Sequence, residues 1–356
     1  MSDLQISLLA LGALIVAGVY LFNGWQERQY RRRSEQSFAR EHDDVLLGDA
    51  ANPHGASAER IEPQLQALAH GVAEGSMAKV PAPILIDPLI DYVVEFTAHS
   101  PCNGADLHEV LLALTSGWGK SVLVEGCESG SGEWQPAGID CNGNFLRLRV
   151  ALQLSNRAGC VDQGKLAAFL DTVLKWSGRE QGEAKFLDVG EAHAMATQLD
   201  RFCADIDIAI GVNVVTADGN PFSGTKIRAL AEAAGLKLEA DGLFYARGDR
   251  GDAKFTLDNH EPNPFVAEQM KSLSTRGITF LLDVPRVEGA TRVFDSMLEL
   301  ATKFASALGA VLVDDNRAEL TTDAIEKIRR QLDGIVAKME AGQIAVGGTR
   351  ALRLFS

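Results

Sequence analysis

Between Asp3 and Glu27 the sequence has no charged residue at all. It also lacks any Cys-x-x-Cys pair: its 5 cysteines, Cys102, Cys127, Cys141, Cys160 and Cys203, are scattered singly. That spacing excludes a zinc-ribbon or thioredoxin-type motif and leaves them as small buried hydrophobes. Positive charge is scarce in the body of the chain, whose net charge is −14. An acidic body of this kind argues against nucleic-acid binding, which needs a basic footprint. Catalytic constellations are missing too. Ser116–Ser121 (SGWGKS) hints at a phosphate loop, but Leu114 stands where the earlier glycine is required. His108-Glu109 has no second histidine at zinc-protease spacing, and no nucleophile elbow occurs. Asp314-Asp315 could be imagined as a metal pair, but Asx capping of a helix starting near Thr321 explains it better. The expectation is a non-enzymatic protein with no cofactor, no metal site, no small-molecule substrate and no nucleic acid.

What is present begins with that charge-free run, Leu4–Gln26, which is followed at once by Arg28, Arg31, Arg32 and Arg33. At 1.5 Å per residue such a run crosses the roughly 30 Å hydrocarbon core of a bilayer. Tyr20 and Trp25 fall near its exit, where interfacial aromatics sit. Positive charge after the run, with no small-residue cleavage site, favours an uncleaved anchor over a signal peptide. The positive-inside rule puts the short N-terminus outside and everything after Arg28 in the cytoplasm.

Residues 1–27 are therefore expected as an N-terminal transmembrane anchor. Residues 28–88 read as a basic, then flexible, linker with an r.m.s. reach of about 40 Å. Two stretches then share one pattern. DYVVEFTAHSPCNGADLHEVLLAL and DIAIGVNVVTADGNPFSGTKIRALAEAAG each run from an Asp through an apolar strand and a polar turn into an amphipathic helix. Later segments keep pace, each with a strand, a long helix and a short strand ending in Asp (FLDVGEAHA and AVLVDDNRAEL). The order predicts an α+β fold of split β-α-β type, an antiparallel sheet with helices on one face, in two tandem copies. The expected boundaries are 89–204 and 205–336, with a tail over 337–356.

The second unit resembles the C-terminal FtsZ-binding domain of the ZipA cell-division family. Asn213-Val214, Gly219, Ser223-Gly224, Ala234-Gly235, Phe244-Tyr245, Arg247, Phe255, Leu257 and Asn259 carry the resemblance. So do Gly277-Ile278-Thr279 and Val284-Pro285, and most specifically Gly309–Thr321, where Asp314, Asp315 and Arg317 match an Asp-Asp-x-Arg turn. Two features depart from the family: the tether is short, with only 11 prolines in the chain, and the tail extends beyond the usual domain end. The first unit fills the space as a diverged ZipA-like copy. The resemblance implies a bitopic inner-membrane adaptor with a periplasmic N-terminus. It would bind the C-terminal tail of FtsZ and tether the Z ring at the division septum. The alternative is a membrane-tethered interaction module whose sheet face takes a different partner.

Strand alternation nominates that face. Ile208, Ile210, Val212 and Val214 are expected inward, as are Leu243 and Tyr245, Phe255 and Leu257, and Ile278, Phe280, Leu282 and Val284. Outward, as the FtsZ-tail site, come Ala209, Gly211, Asn213, Gly242, Phe244, Lys254, Thr256, Asp258, Leu281 and Asp283. Phe244 and Leu281 would be large apolar islands on small residues, in a surround made acidic by Asp241, Asp258 and Glu261, with His260 among them. The first unit, with its Gly-rich hairpin, is expected to be structural or to hold another partner.

Overall fold

Two large antiparallel sheets, each backed by helices, and two small two-stranded ones make up the described part of the chain in a computed structural model. Described are residues 86–102, 114, 117–128, 130, 132–137, 144–179 and 182–356. The expected anchor, nearly all of the expected linker, and Cys141 lie outside them. Among the described residues no helix is long and apolar enough to cross a membrane.

The first domain runs β1 (Asp91–Cys102), β2 (Val122–Glu128), β3 (Trp134–Pro136) and β4 (Phe145–Gln153), then a small hairpin, β5 (Ser155–Asn156) and β6 (Gly159–Cys160). Helix α1 (Gln163–Arg179), strand β7 (Glu183–Phe186) and helix α2 (Val189–Ile206) complete it. Its sheet order is β3-β2-β4-β1-β7. Tyr92, Val94, Phe96 and Ala98 alternate into the core, as period-two alternation demands. They meet Leu166, Phe169, Val173 and Trp176, which recur on one stripe of α1. The Asp188 carboxylate starts α2 by accepting from the N–H groups of Gly190 and Glu191, at 2.8 and 3.3 Å.

The second domain contains β8 (Ala209–Thr216), β9 (Phe222–Ser223), α3 (Gly224–Ala233), β10 (Lys237–Leu238), β11 (Phe244–Arg247) and β12 (Ala253–Asn259). It continues through β13 (Ser274–Thr275), β14 (Gly277–Asp283), α4 (Ala290–Leu308), β15 (Ala310–Val313) and α5 (Thr322–Ala341). Sheet order is β10-β11-β12-β14-β8-β15. Phe294, Met297, Leu298, Ala301, Phe304 and Ala305 form the buried stripe of α4. The Phe304 ring meets Phe280 of β14 edge-on at 5.2 Å. Thr321 caps α5, its hydroxyl accepting from Ala324 N–H. Asp314 instead closes an Asx turn, accepting from the N–H groups of Asn316 and Ala318, so the capping expected of that aspartate pair falls to Thr321.

The domains share a half: first strand in the middle, a later strand beside it, then a long helix, an edge strand and another helix. That is β1, β4, α1, β7, α2 in one and β8, β14, α4, β15, α5 in the other. They differ beyond it. The strand paired to β4 is β2, the earlier arm of its hairpin, whereas the strand paired to β14 is β12, the later arm.

The C-terminal segment closes the molecule. Helix α5 runs through the expected boundary at 336, and a short helix, α6 (Thr349–Leu354), follows. Ile344, Ala351, Leu354 and Phe355 build a third core with Ile90 of the first domain, Cys203 and Ile206 of α2, and Met339 of α5. Arg353 grips Asp91 with both guanidinium arms, at 2.9 and 2.5 Å, and Arg350 binds Asp87. Asp91 is buried, and that burial raises its pKa while the Arg353 hydrogen bonds oppose the rise. From the other side Gly347 N–H donates to Pro285 O. The tail thus holds both domains at once.

Candidate functional site

The helix-free face of the second sheet is set by its register. Tyr245 pairs with Thr256, Thr256 with Leu281, and Leu281 with Gly211, so these four form one row on that face. The next row is Asp258, Thr279, Asn213 and Val313. Leu281, half-buried, stands among threonines, a glycine and a tyrosine ring.

Of the residues expected on this face, Ala209, Gly211, Asn213, Lys254, Thr256, Asp258, Leu281 and Asp283 have the outward parity. Phe244 does not. It pairs with Leu257, is 0% exposed, and packs edge-to-face on Phe265 at 5.3 Å inside the core. Gly242 is buried as well: it sits in a turn at φ 82°, where a Cβ would come within 2.5 Å of Pro264. Alternation holds through this segment, with Gly242 and Phe244 buried and Leu243 and Tyr245 partly exposed, so what the structure reverses is which of the two faces turns inward. Tyr245, expected inward, is the aromatic on the open face. Its hydroxyl donates to Asp241 at 2.6 Å, and Arg247 lies 5.0 Å from the ring centre. Burial first, then the hydrogen bond to Asp241, holds the phenol well above its usual pKa, so it remains a donor at every physiological pH. Ile208, also expected inward, precedes β8 and is exposed.

A polar relay crosses the face. Thr279 Oγ1 donates to Asn213 Oδ1 at 2.6 Å, and Asn213 Nδ2 donates to Asp315 Oδ1 at 2.9 Å. Thr279 has a single proton, so His260 Nδ1, 3.1 Å away, is the donor on its other side. These bonds satisfy Asn213, which is buried at 2% exposure. Asp315 lies directly over Gly211: a Cβ there would come within 2.6 Å of its carboxylate. The relay makes this end of the face stiff. At the other end Asp283 is held by Arg157 of the first domain at 2.7 Å, and the same guanidinium binds Asp207 at 2.7 Å. Nothing in the sequence joins Arg157 to this site; only the packing of the two domains does.

The first sheet's open face has another character. Glu125, Arg149, Glu95 and Lys185 lie in one row, and Cys127, Arg147, Thr97 and Glu183 in the next. Arg147 reaches Glu95 at 2.6 Å, and Arg149 stacks on Trp134 at 3.8 Å. Ile86, almost fully buried, donates its N–H to the buried carboxylate of Glu125 at 3.1 Å. This face is already filled by its own charges and by the chain entering β1.

Fold and face together define a class: a one-sided α+β module with a sheet surface that no helix of the described residues covers. Among the described residues no cluster of His, Cys, Asp and Glu is arranged to hold a metal. Residues 208–331 match the family model described as ZipA, C-terminal FtsZ-binding domain. Curated relatives match over a similar length. The cell division protein ZipA of Marinobacter nauticus is 34% identical over 126 residues, 34% of this chain and 37% of the relative. That of Vibrio vulnificus is 32% identical over 127 residues, 35% and 41% of the two chains. That of Ectopseudomonas mendocina is 27% identical over 141 residues, 38% and 52%. The matched residues thus span about two-fifths to one-half of these relatives, and the first domain lies outside the family match.

Proposed function

We propose that this protein is a non-enzymatic adaptor of bacterial cell division whose second domain binds the C-terminal tail of FtsZ on its open sheet face. One observation carries the reading: the stretch that matches an FtsZ-binding domain family folds into the domain whose sheet face is bare. Leu281 and the Tyr245 ring supply the apolar contacts, Thr256 the floor between them, Gly211 the floor on the far side of Leu281, and Lys254 and Asp258 the rim. Fully burying one such large side chain contributes about 1.5–3 kcal/mol. Ordering a flexible tail takes back several kcal/mol, so each contact is of about micromolar strength or weaker.

Weak contacts suit the wider role. Leu4–Gln26 anchors the chain in the inner membrane with the N-terminus periplasmic. Many such anchored copies, each holding one tail of a filament, give firm attachment of the Z ring at the septum through raised local concentration. The first domain is a diverged copy of the second, which the shared β-β-α-β-α half supports. Its filled face leaves it a structural part.

The test is a titration of the full chain with the FtsZ tail peptide, because the third core makes the isolated second domain a different object. Binding that weakens at least about ten-fold in both Leu281→Asp and Tyr245→Ala supports the reading. No binding by the parent chain, or binding indifferent to both changes, overturns it.

A further inference from the structure

Strand β8 outruns the strand on its outer side. β14 pairs with it from Ala209 to Val215, but β15 covers only Asn213 to Thr216. Val284 N–H donates to Ile208 O and Thr216 N–H to Arg276 O, so the even-numbered residues of β8 turn their backbone groups toward β14. Ala209 and Gly211 therefore aim N–H and C=O the other way, past the end of β15. No strand of the described residues lies there; a groove of 590 Å³ does. Ile328, Leu332 and Ile335 of α5 line it on the helix side of the sheet, and Asp314 and Asp315 form its end. Asp315 stands on the opposite, open-face side, against Gly211. Among the described residues neither aspartate has a cationic side chain in ion-pair contact, and Lys338 at the far rim is held by Asp205 at 2.8 Å.

The first domain has a corresponding gap, since β7 covers β1 only from Val94 to Thr97. There the gap is small, 210 Å³, and Tyr92 closes it by donating its hydroxyl to Leu187 O at 2.9 Å. Among the described residues the second domain's gap is the larger and is closed by no such bond.

We propose that this groove takes an extended peptide segment as an added strand beside β8, with side chains alternating between apolar and Lys or Arg. An exposed ladder edge supplies main-chain affinity, and the two-residue period supplies the selection. Side chains turned to the helix layer meet Ile328 and Ile335 and must be apolar. Those turned to the open face come over Asp315, with Asp314 beside it at the groove's end, and are selected for positive charge. The site works through strand pairing at an edge, so it is separate from docking on the Leu281 face.

The probe is a short labelled peptide alternating Val and Lys, titrated by fluorescence anisotropy into the full chain in detergent solution. Three further peptides complete the set: Val–Glu, Ser–Lys, and Val–Lys with the amides facing β8 N-methylated. The Val–Lys peptide should bind at least about ten-fold tighter than each of the three, a difference of about 1.4 kcal/mol. Amide exchange at Ala209 and Gly211 should slow on binding, and Tyr245→Ala should leave the affinity unchanged. Asp314→Asn combined with Asp315→Asn keeps the turn acceptors and should weaken binding about five-fold. Equal binding of the Ser–Lys peptide would reduce the effect to attraction toward an acidic protein and overturn the proposal. No binding of the Val–Lys peptide, affinity indifferent to N-methylation, or protection confined to other amides would overturn it as well. The N-methylated arm needs no change to the protein and decides the matter even if the double variant misfolds.

Discussion

The two sheets of this molecule carry similar helix layers and opposite outer surfaces. On the first, Glu95 pairs with Arg147 and Arg149, both arginines lie against the Trp134 ring, and Ile86 donates its N–H to Glu125. On the second, the middle row is Tyr245, Thr256, Leu281 and Gly211, and the charged and hydrogen-bonded groups lie toward its ends, in the Asn213 relay and at Asp283. A face whose charges satisfy one another offers a ligand little, because binding would exchange one set of partners for another. A face of small, weakly polar groups loses little by shedding water. The contrast shows how one layer plan can yield a strut and a receptor by changing only the outward half of each strand's alternation.

The comparison can be broken hardest in the core. Phe244→Ala should cost about 3–5 kcal/mol in urea unfolding of the full chain, since it empties a fully enclosed site. Were it instead to weaken tail binding with stability intact, β11 would have the opposite parity. Next comes the tail that joins the domains. Arg353→Ala leaves the buried Asp91 carboxylate without its bidentate partner and should cost about 3 kcal/mol. Two separate unfolding transitions in that variant would show the third core to be what couples the domains.

Asp91 also gives a pH signature. Its native pKa is raised by burial above the ordinary aspartate value of 3.8, so its contribution is complete below that pH and is lost as pH rises through the native value. Stability measured across a window opening near pH 3.8 should therefore decline more in the parent than in Asp91→Asn. A steeper decline in the asparagine variant would reverse the sign. Smaller again are the helix caps, one in each domain: Asp188→Ala and Thr321→Ala should each cost about 1 kcal/mol. At the bottom of the scale, Arg147→Ala removes an exposed pair and should cost under about 1 kcal/mol without changing tail affinity. A clear loss of tail binding in that variant would make the first face a receptor after all.

Much of the second domain was legible residue by residue. Val212, Val214, Ile278, Phe280 and Leu282 lie in the core as alternation predicts, and Leu281 faces out, because β8 and β14 are long, regular and paired on both sides. β11 is only four residues long, and the run Leu243-Phe244-Tyr245-Ala246 is apolar or aromatic at every position, so alternation there does not say which face is inward. A chemical signal was available there. Of the adjacent pair Phe244-Tyr245, the tyrosine has a hydroxyl that needs a partner, which favours the outward position. The relay from His260 to Asp315 and the hold of Arg157 on Asp283 had no such signal. Each joins residues far apart in the chain, and no local pattern encodes those distances.

By itself the sequence determined the class of fold, the strand faces wherever alternation ran unbroken, and the resemblance of the second domain to an FtsZ-binding module. Those properties are local, set by period, turn chemistry and the pairing of neighbours. Tertiary structure alone decided that the last residues lock the two domains together, that one open face is filled and the other bare, and that β8 outruns its neighbour. Each of these depends on which distant segments come to lie side by side, and that is settled only when whole surfaces pack.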